Sequence, residues 1–318
     1  LFIRREGIAL DNEFSYEDKL LTKVAWYYYI EGYTQQEIGE YLSIPRLRVN
    51  RLLDKARKAG IIQFSVREGD SKRMIVEREL ITQFGLKDAF VVPSPINEQD
   101  INESVAQAAA MYIHERLDKS GYINMGYGDT SSRILNHLAN ICEFPVNVVS
   151  LTGGVNYYLP NTRIFNAKLY LTPAPLLMAS EDIVKAMEQE PSVKQIRHMA
   201  TLAQMSIVGI GGVDSNATLL TNGTLNHSDV LLLSMQGAVG DMLCHFIDKD
   251  GNVIQSSLER RLMSTPLEQL KEMSNSIGVA GGSTKSEAIL AALKGNYLDV
   301  LITDETTATN VLRLKNQE

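Results

Sequence analysis

Cysteine is scarce in this sequence, long apolar runs and an overall excess of basic charge are missing from it, and each lack removes a class of protein. Cys142 and Cys244 are the only cysteines in 318 residues, and neither belongs to a CxxC pair or a Cys/His cluster. That usage argues against a disulfide-stapled scaffold and against structural zinc, and it predicts a chain kept reduced in the cytoplasm without a metal. The longest apolar runs, such as Val230–Leu233 and Val300–Ile302, stop far short of the roughly 20 residues that cross a bilayer. No membrane partner is therefore expected. The opening stretch Leu1–Asn12 carries Arg4 and Arg5 but no apolar run long enough for a secretory signal. Internal repeats and low-complexity tracts are also absent. What is left, 44% hydrophobic and 22% charged residues over this length, predicts a globular protein of about two domains.

A net charge of −7 is the wrong sign for a polyanion partner unless the positive charge is gathered on one face. In the first seventy residues it is gathered. Between Glu17 and Glu31 the apolar residues Leu20, Leu21, Val24, Ala25, Tyr27, Tyr28 and Ile30 recur at helical spacing, and Gly32 supplies a stop. Thr34-Gln35-Gln36-Glu37 is a capping box, which predicts a short helix with Ile38, Tyr41 and Leu42 turned inward. Ser43-Ile44-Pro45 interrupts the pattern, and proline suits the first position of a third helix running to about Ala59, before Gly60. Ser43 stands where glycine is commonest in such a turn, so it is expected to take a left-handed or nearby backbone conformation.

At 100° per residue the third helix places Val49, Leu52, Leu53 and Ala56 on one stripe and Arg48, Arg51, Lys55 and Lys58 on the other. Asp54 is the one acid between Arg46 and Lys58. A short helix, a tight turn and a second helix with a basic outer face match the geometry that enters the major groove. The expected DNA-facing residues are Gln35, Arg46, Leu47, Arg48, Asn50, Arg51, Lys55 and Lys58, with Leu47 suited to a thymine methyl group. Ile61–Val66 reads as a strand, a small wing. Trp26, Tyr27, Tyr28 and Tyr29, at helical spacing, are expected in the core and in contacts between subunits.

Arg67–Lys72 is polar and contains Gly69, which marks a junction, and a connecting helix is expected from about Lys72 to Phe84. Beyond it short apolar runs alternate with amphipathic helices: Ala89–Val92, Ile123–Gly126, Val146–Leu151, Ile207–Ile210, Ile277–Ala280 and Val300–Thr303. Alternation of that kind predicts an α/β domain on a mostly parallel sheet. Several of these strands run into glycines, at Gly126-Tyr127-Gly128, Thr152-Gly153-Gly154, Gly209-Ile210-Gly211-Gly212 and Gly281-Gly282-Ser283-Thr284-Lys285. In open α/β sheets ligands bind beyond the carboxyl ends of strands, where glycine permits close approach and helix N-termini attract anions. Lys285 offers a cation, and Asp129 and Asp241 suit sugar hydroxyls or general-base work. Lys249-Asp250-Gly251-Asn252 is a hairpin turn between Phe246-Ile247 and Val253-Ile254.

With those segments on the page, the sequence resembles the SorC/DeoR-type sugar-binding transcriptional regulators over nearly its whole length. The resemblance rests on Tyr33–Ile38, Arg51–Leu53 with Ala59–Ile62, Leu151–Val155, Val208–Gly211, Gly237–Asp241, Val279–Gly282 and Leu301–Asp304. It implies a helix-turn-helix, winged-helix-like domain over 15–67, a linker helix over 68–86, and over 87–318 a Rossmann-like α/β effector and oligomerisation domain similar to sugar-phosphate isomerases. It implies a cytoplasmic repressor of a carbohydrate or autoinducer-2-type operon, a homodimer or homotetramer on double-stranded operator DNA, released by a phosphorylated sugar-like effector. No cofactor and no catalytic residue are implied. The effector positions it implies are Tyr127, Asp129, Thr130, Thr152, Gly153, Gly154, Asp241, Gly282, Ser283 and Lys285. The alternative is a sugar-phosphate isomerase-like enzyme with a DNA-binding appendage.

Overall fold

A computed structural model describes residues 16–62, 67–154, 166–213, 218–221 and 223–317. The chain divides into two compact units, Leu1–Arg67 and Glu68–Glu318. Among the described residues no helix is long and apolar enough to cross a membrane.

Among its described residues the first unit holds three helices, α1 (Tyr16–Tyr29), α2 (Gln35–Tyr41) and α3 (Arg46–Lys58). They enclose a core of Leu20, Leu21, Val24, Ala25, Ile38, Val49, Leu52, Leu53 and Ala56, the residues whose spacing marks the inner faces. Gly32 takes a φ of +74° after α1. Thr34 and Glu37 form the capping box, the Glu37 amide donating to Thr34 Oγ1 and the Thr34 amide to Glu37 Oε2. Tyr41 departs from expectation. Instead of turning inward it is exposed and packs its edge on Tyr27, which in turn stacks on Tyr33. A seven-residue helix between two others has only Ile38 and Gly39 fully inside, too narrow a stripe for a second ring. Trp26 is exposed and donates to Glu31 Oε1. Ile61 and Ile62 lie in a bend. The rest of the expected wing, Gln63–Val66, lies outside the described residues.

The second unit begins with α4 (Glu68–Phe84), one turn earlier than the polar composition of its start suggests. Ion pairs Glu68–Lys72 and Asp70–Arg73 occupy that added turn. The sheet that follows runs, in spatial order, β1 (Asp88–Val92), β9 (Val300–Asp304), β8 (Ser276–Val279), β5 (Met205–Gly212), β2 (Tyr122–Met125), β3 (Val146–Ser150) and β4 (Ala167–Tyr170). All of these neighbours pair in parallel. Alternate residues feed opposite faces, Val148 and Ile207 one core, Val149 and Val208 the other. On one face lie α5 (Ile101–His114) and α6 (Asp129–Ile141). On the other lie α4, α12 (Ser286–Lys294) and α13 (Glu305–Lys315). Burial on both faces explains why the strands read as short apolar runs.

Helices α7 (Glu181–Gln189), α8 (Pro191–Thr201), α9 (Thr218–Thr221), α10 (His227–Met235) and α11 (Leu267–Glu272) complete the described helices. Beyond Gly209, β5 continues into an antiparallel pair with β6 (Ala238–Met242), which pairs with β7 (His245–Asp248). The turn between β6 and β7 is Leu243-Cys244, with φ of +51° and +69°. Tight hairpins need that hand of backbone but normally recruit Asn or Gly for it, so sequence carries no signal for this turn. The expected turn at Lys249–Asn252 is present, with an isolated bridge between Ile247 and Val253.

Candidate functional site

Two surfaces follow from this architecture, one in each unit. In the first, α2 and α3 cross so closely that a Cβ on Gly39 would lie 2.9 Å from the Ile44 carbonyl oxygen. Ser43 makes the intervening turn with a φ of +54°, the left-handed conformation expected of it. The crossing leaves the outer face of α3 in solvent: Arg46, Arg48, Asn50, Arg51, Lys55 and Lys58 are exposed, and Leu47 retains 63% of its accessible surface. Gln35 reaches across from α2 and donates to Asn50 Oδ1 at 3.2 Å, which joins the starts of both helices in one polar edge. Lys55 pairs with Glu17 of α1 at 2.6 Å, and Arg57 pairs with Asp54. That contact, together with the Lys55 charge, holds the Glu17 carboxyl below the usual range. Arg46, Arg51 and Lys58 make no ion pair among the described residues.

The second surface is a cavity of about 310 Å³ beyond the carboxyl ends of β2, β5 and β8. Strand order reverses between β2 and β5, because β3 and β4 build outward on one side and β8 and β9 on the other. Such a reversal opens a crevice at the ends of the strands. Its walls carry Tyr127, Asp129, Thr130, Asp241, Gly282, Ser283 and Lys285. The N-terminus of α6 opens onto it, and its Ser131 hydroxyl is buried there without a hydrogen-bond partner among the described residues. An aligned helix start and an unsatisfied hydroxyl favour an oxygen-rich, anionic guest.

Asp241 faces Gly211 across the β5–β6 pair, and any side chain on Gly211 would collide with its carboxylate. Burial pushes the Asp241 carboxyl up to about 6, while the Cys244 amide, which donates to Oδ2 at 3.3 Å, and the charges of Lys285 and His245 pull it down. His245 itself is buried, with Nδ1 at 2.8 Å from Glu259 and Nε2 at 3.0 Å from the Thr265 carbonyl oxygen. Asp129, at the mouth, accepts from Asn102 at 3.2 Å and from Arg133 Nε at 2.8 Å. Arg133 also pairs with Glu103, which meets His137 at 2.8 Å. Among the described residues no group of His, Cys, Asp and Glu could hold a metal ion.

Thr152, Gly153 and Gly154 are not in this cavity's lining. They follow β3, one strand beyond the reversal, and are buried, with the Gly153 amide donating to Met263 O and the Gly154 amide to Ala174 O. A side chain at Gly153 would collide with the Pro175 carbonyl. Lys285 stands just before α12 rather than inside it, at the end of a single tight turn, Ser283–Lys285. The Gly282 amide points away from the cavity, donating to Asp304 Oδ1 at 3.1 Å and Thr307 Oγ1 at 2.8 Å. Sequence reasoning missed Glu98, Gln99, Asn102 and Ser131 in the lining, and the apolar Ile101, Leu219 and Leu243 beside them. Only Ser131 carried a signal, its place one residue after Thr130 in a glycine-led helix start.

The family model of the sugar-binding domain, Sugar-bind, matches residues 71–313, and that of Sigma-70, region 4, matches residues 24–59. The chain is 36% identical over 317 residues to the transcriptional regulator LsrR of Klebsiella pneumoniae, covering 98% of this chain and 96% of that one. To LsrR of Escherichia coli K12 it is 33% identical over 311 residues, covering 96% and 98%. The crystal structure of the full-length sorbitol operon regulator SorC from Klebsiella pneumoniae superposes with a TM-score of 0.67 at 25% identity, over 94% of this chain and 99% of that one.

Proposed function

The chain belongs to the family of sugar-binding transcriptional regulators, DNA-binding and sugar-responsive and not enzymes, and from that membership we propose that it is a cytoplasmic repressor released from its operator by a phosphorylated sugar-like effector. The observation that carries the effector reading is the cavity itself. It joins Lys285, the start of α6 and the Ser131 hydroxyl, suited to a phosphoryl group, to Asp129, Asp241 and Thr130, suited to hydroxyls. Tyr127, Gly282 and Ser283 shape its walls. Thr152, Gly153 and Gly154 are assigned a supporting role behind β3.

On the DNA side, Arg46, Leu47, Asn50 and Arg51 read base edges, while Gln35, Arg48, Lys55 and Lys58 meet the backbone, Lys55 exchanging Glu17 for a phosphate. Two or four copies place these helices in pairs on a palindromic site. In this reading residues 15–67 read DNA, 68–86 form the linking helix, and 87–318 sense the effector.

Mass spectrometry of small molecules retained by the purified full chain, followed by footprinting on genomic fragments with and without the retained molecule, tests the whole reading. We expect a protected site that is lost when the molecule is added, and a Lys285→Ala variant that keeps the footprint but ignores the molecule. Wild-type response in that variant would misplace the cavity, and absence of any protected site would remove the repressor.

A further inference from the structure

Helix α4 starts on the residue after the unit boundary, so it is the path by which the chain passes from the DNA-reading unit into the α/β unit. Apolar packing holds it there through Leu80, fully buried, with Val76, Ile81 and Phe84. Two polar ties add direction to that packing. Glu77, itself buried, accepts the Val91 amide of edge strand β1 at 2.7 Å. Arg73, whose side chain keeps only 15% of its accessible surface, donates Nη1 to Glu305 Oε2 at 3.3 Å while also pairing with Asp70.

One tie lands on β1 and the other just past its partner strand β9. Val91 lies in register with Thr303 of β9, and Glu305 opens α13 two residues later. The residue between them, Asp304, is fully buried and accepts the amide of Gly282, the cavity wall. Thr307 Oγ1 accepts the same amide, and Ser94 Oγ donates to Asp304 Oδ2 at 2.6 Å while accepting the Thr306 amide at 2.8 Å. These bonds outweigh burial and keep the Asp304 carboxyl below its ordinary range. Gly281 has no room for a side chain, because a Cβ there would meet Ile101 and, at 2.9 Å, Asp304 Oδ1. Shifting the wall alone would leave the Gly282 amide without both of its acceptors and take one of several donors from the buried Asp304 carboxylate, which Thr307 and Ser94 also hold, so the wall and the start of α13 move together.

We propose that Arg73 and Glu305 are positioning residues of the effector response: they clamp α4 to the segment that holds the Gly282 wall, so that displacement of this wall by a seated ligand is passed to the helix leading to the DNA-reading unit. The proposal rests on reading the cavity as the effector site. Its physical content is a coupling between two parts of one unit, and coupling is reciprocal.

Site-resolved hydrogen exchange on the full chain, without ligand or DNA, tests that coupling. Arg73→Ala, and separately the milder Glu305→Gln, should speed exchange at the Gly282 amide by roughly tenfold while Val148, on the far side of the sheet, keeps its wild-type rate. Thr307→Val, at the cavity end, should in turn speed exchange at Val91. A merely structural role for Arg73 would raise all core amides together or none. If Gly282 exchanges at the wild-type rate in folded Arg73→Ala and Glu305→Gln chains, the clamp transmits nothing and the proposal is overturned. A failure of the effector reading would register differently, as a chain that retains no metabolite.

Discussion

Asp241 concentrates the physical tension of the effector cavity in one side chain. Its folded carboxyl titrates at about 6 against an ordinary value of 3.8, because burial disfavours the charged form more than the Cys244 amide, Lys285 and His245 favour it. A raised carboxyl makes the fold most comfortable when protonated, and that contribution is lost as pH climbs from about 4 through 6. Asp241→Asn, which keeps the shape and cannot ionise, should therefore gain stability relative to wild type across that window, by about 3 kcal/mol for a shift of some two pH units. Urea unfolding of both chains at pH 4.5 and 7.5 measures this. A constant difference between them would show that the carboxyl is not perturbed. Asp129, at the mouth, is exposed and bonded to Asn102 and Arg133.

Among the elements, the helix-turn-helix was the most readable, because every determinant is local. The capping box, the left-handed Ser43 and the buried stripe of α3 all lie within the span from Thr34 to Ala56, and each imposes its geometry on its own neighbours. The α/β unit was readable only by class. Its apolar runs announce parallel strands, yet β4, a short edge strand of Ala, Lys, Leu and Tyr, buries too little to show a pattern, and the β6–β7 turn uses Leu243 and Cys244 where no rule would place them. The cavity was half legible for a related reason. The glycines after β2, β3, β5 and β8 look alike in sequence, but strand order decides which of them flank the reversal, and β3 lies one strand away from it. Loss of the local determinants has a local cost. Thr34→Ala should destabilise the first unit by about 1 kcal/mol. The single tryptophan of the chain, Trp26 on α1, gives this unit its own fluorescence reporter. An unchanged Trp26 unfolding midpoint would mean that the observed cap contributes nothing.

For the molecule as a whole, the question is how a chain of net charge −7 holds a polyanion. The resolution is placement: α3 displays Arg46, Arg48, Arg51 and Lys58 on one exposed face, and the acids lie elsewhere or, like Glu17, are engaged with a base. Attraction confined to one face is screened steeply by salt. Operator affinity should fall log-linearly with salt, with a slope of about −0.9 per phosphate neutralised. Lys58→Ala should flatten it by about one per bound helix, weakening all operator variants alike. Titrations by fluorescence anisotropy between 50 and 200 mM salt, roughly the range over which such slopes are read, would show it; a sequence-dependent loss would instead assign Lys58 to base reading.

One consequence of the long central strand reaches past any single substitution. β5 serves two masters, a parallel sheet up to Gly209 and an antiparallel ribbon from Ile210 to Gly212, and Gly211 sits in register with Asp241 only because the count between them is right. One inserted residue upstream would slide Ile210 into the slot that Gly211 keeps clear for the carboxylate, and would flip each later side chain to the opposite face. The length of this strand is thus held as tightly as the bare backbone at Gly211, where a Cβ would lie 2.1 Å from Asp241 Oδ1.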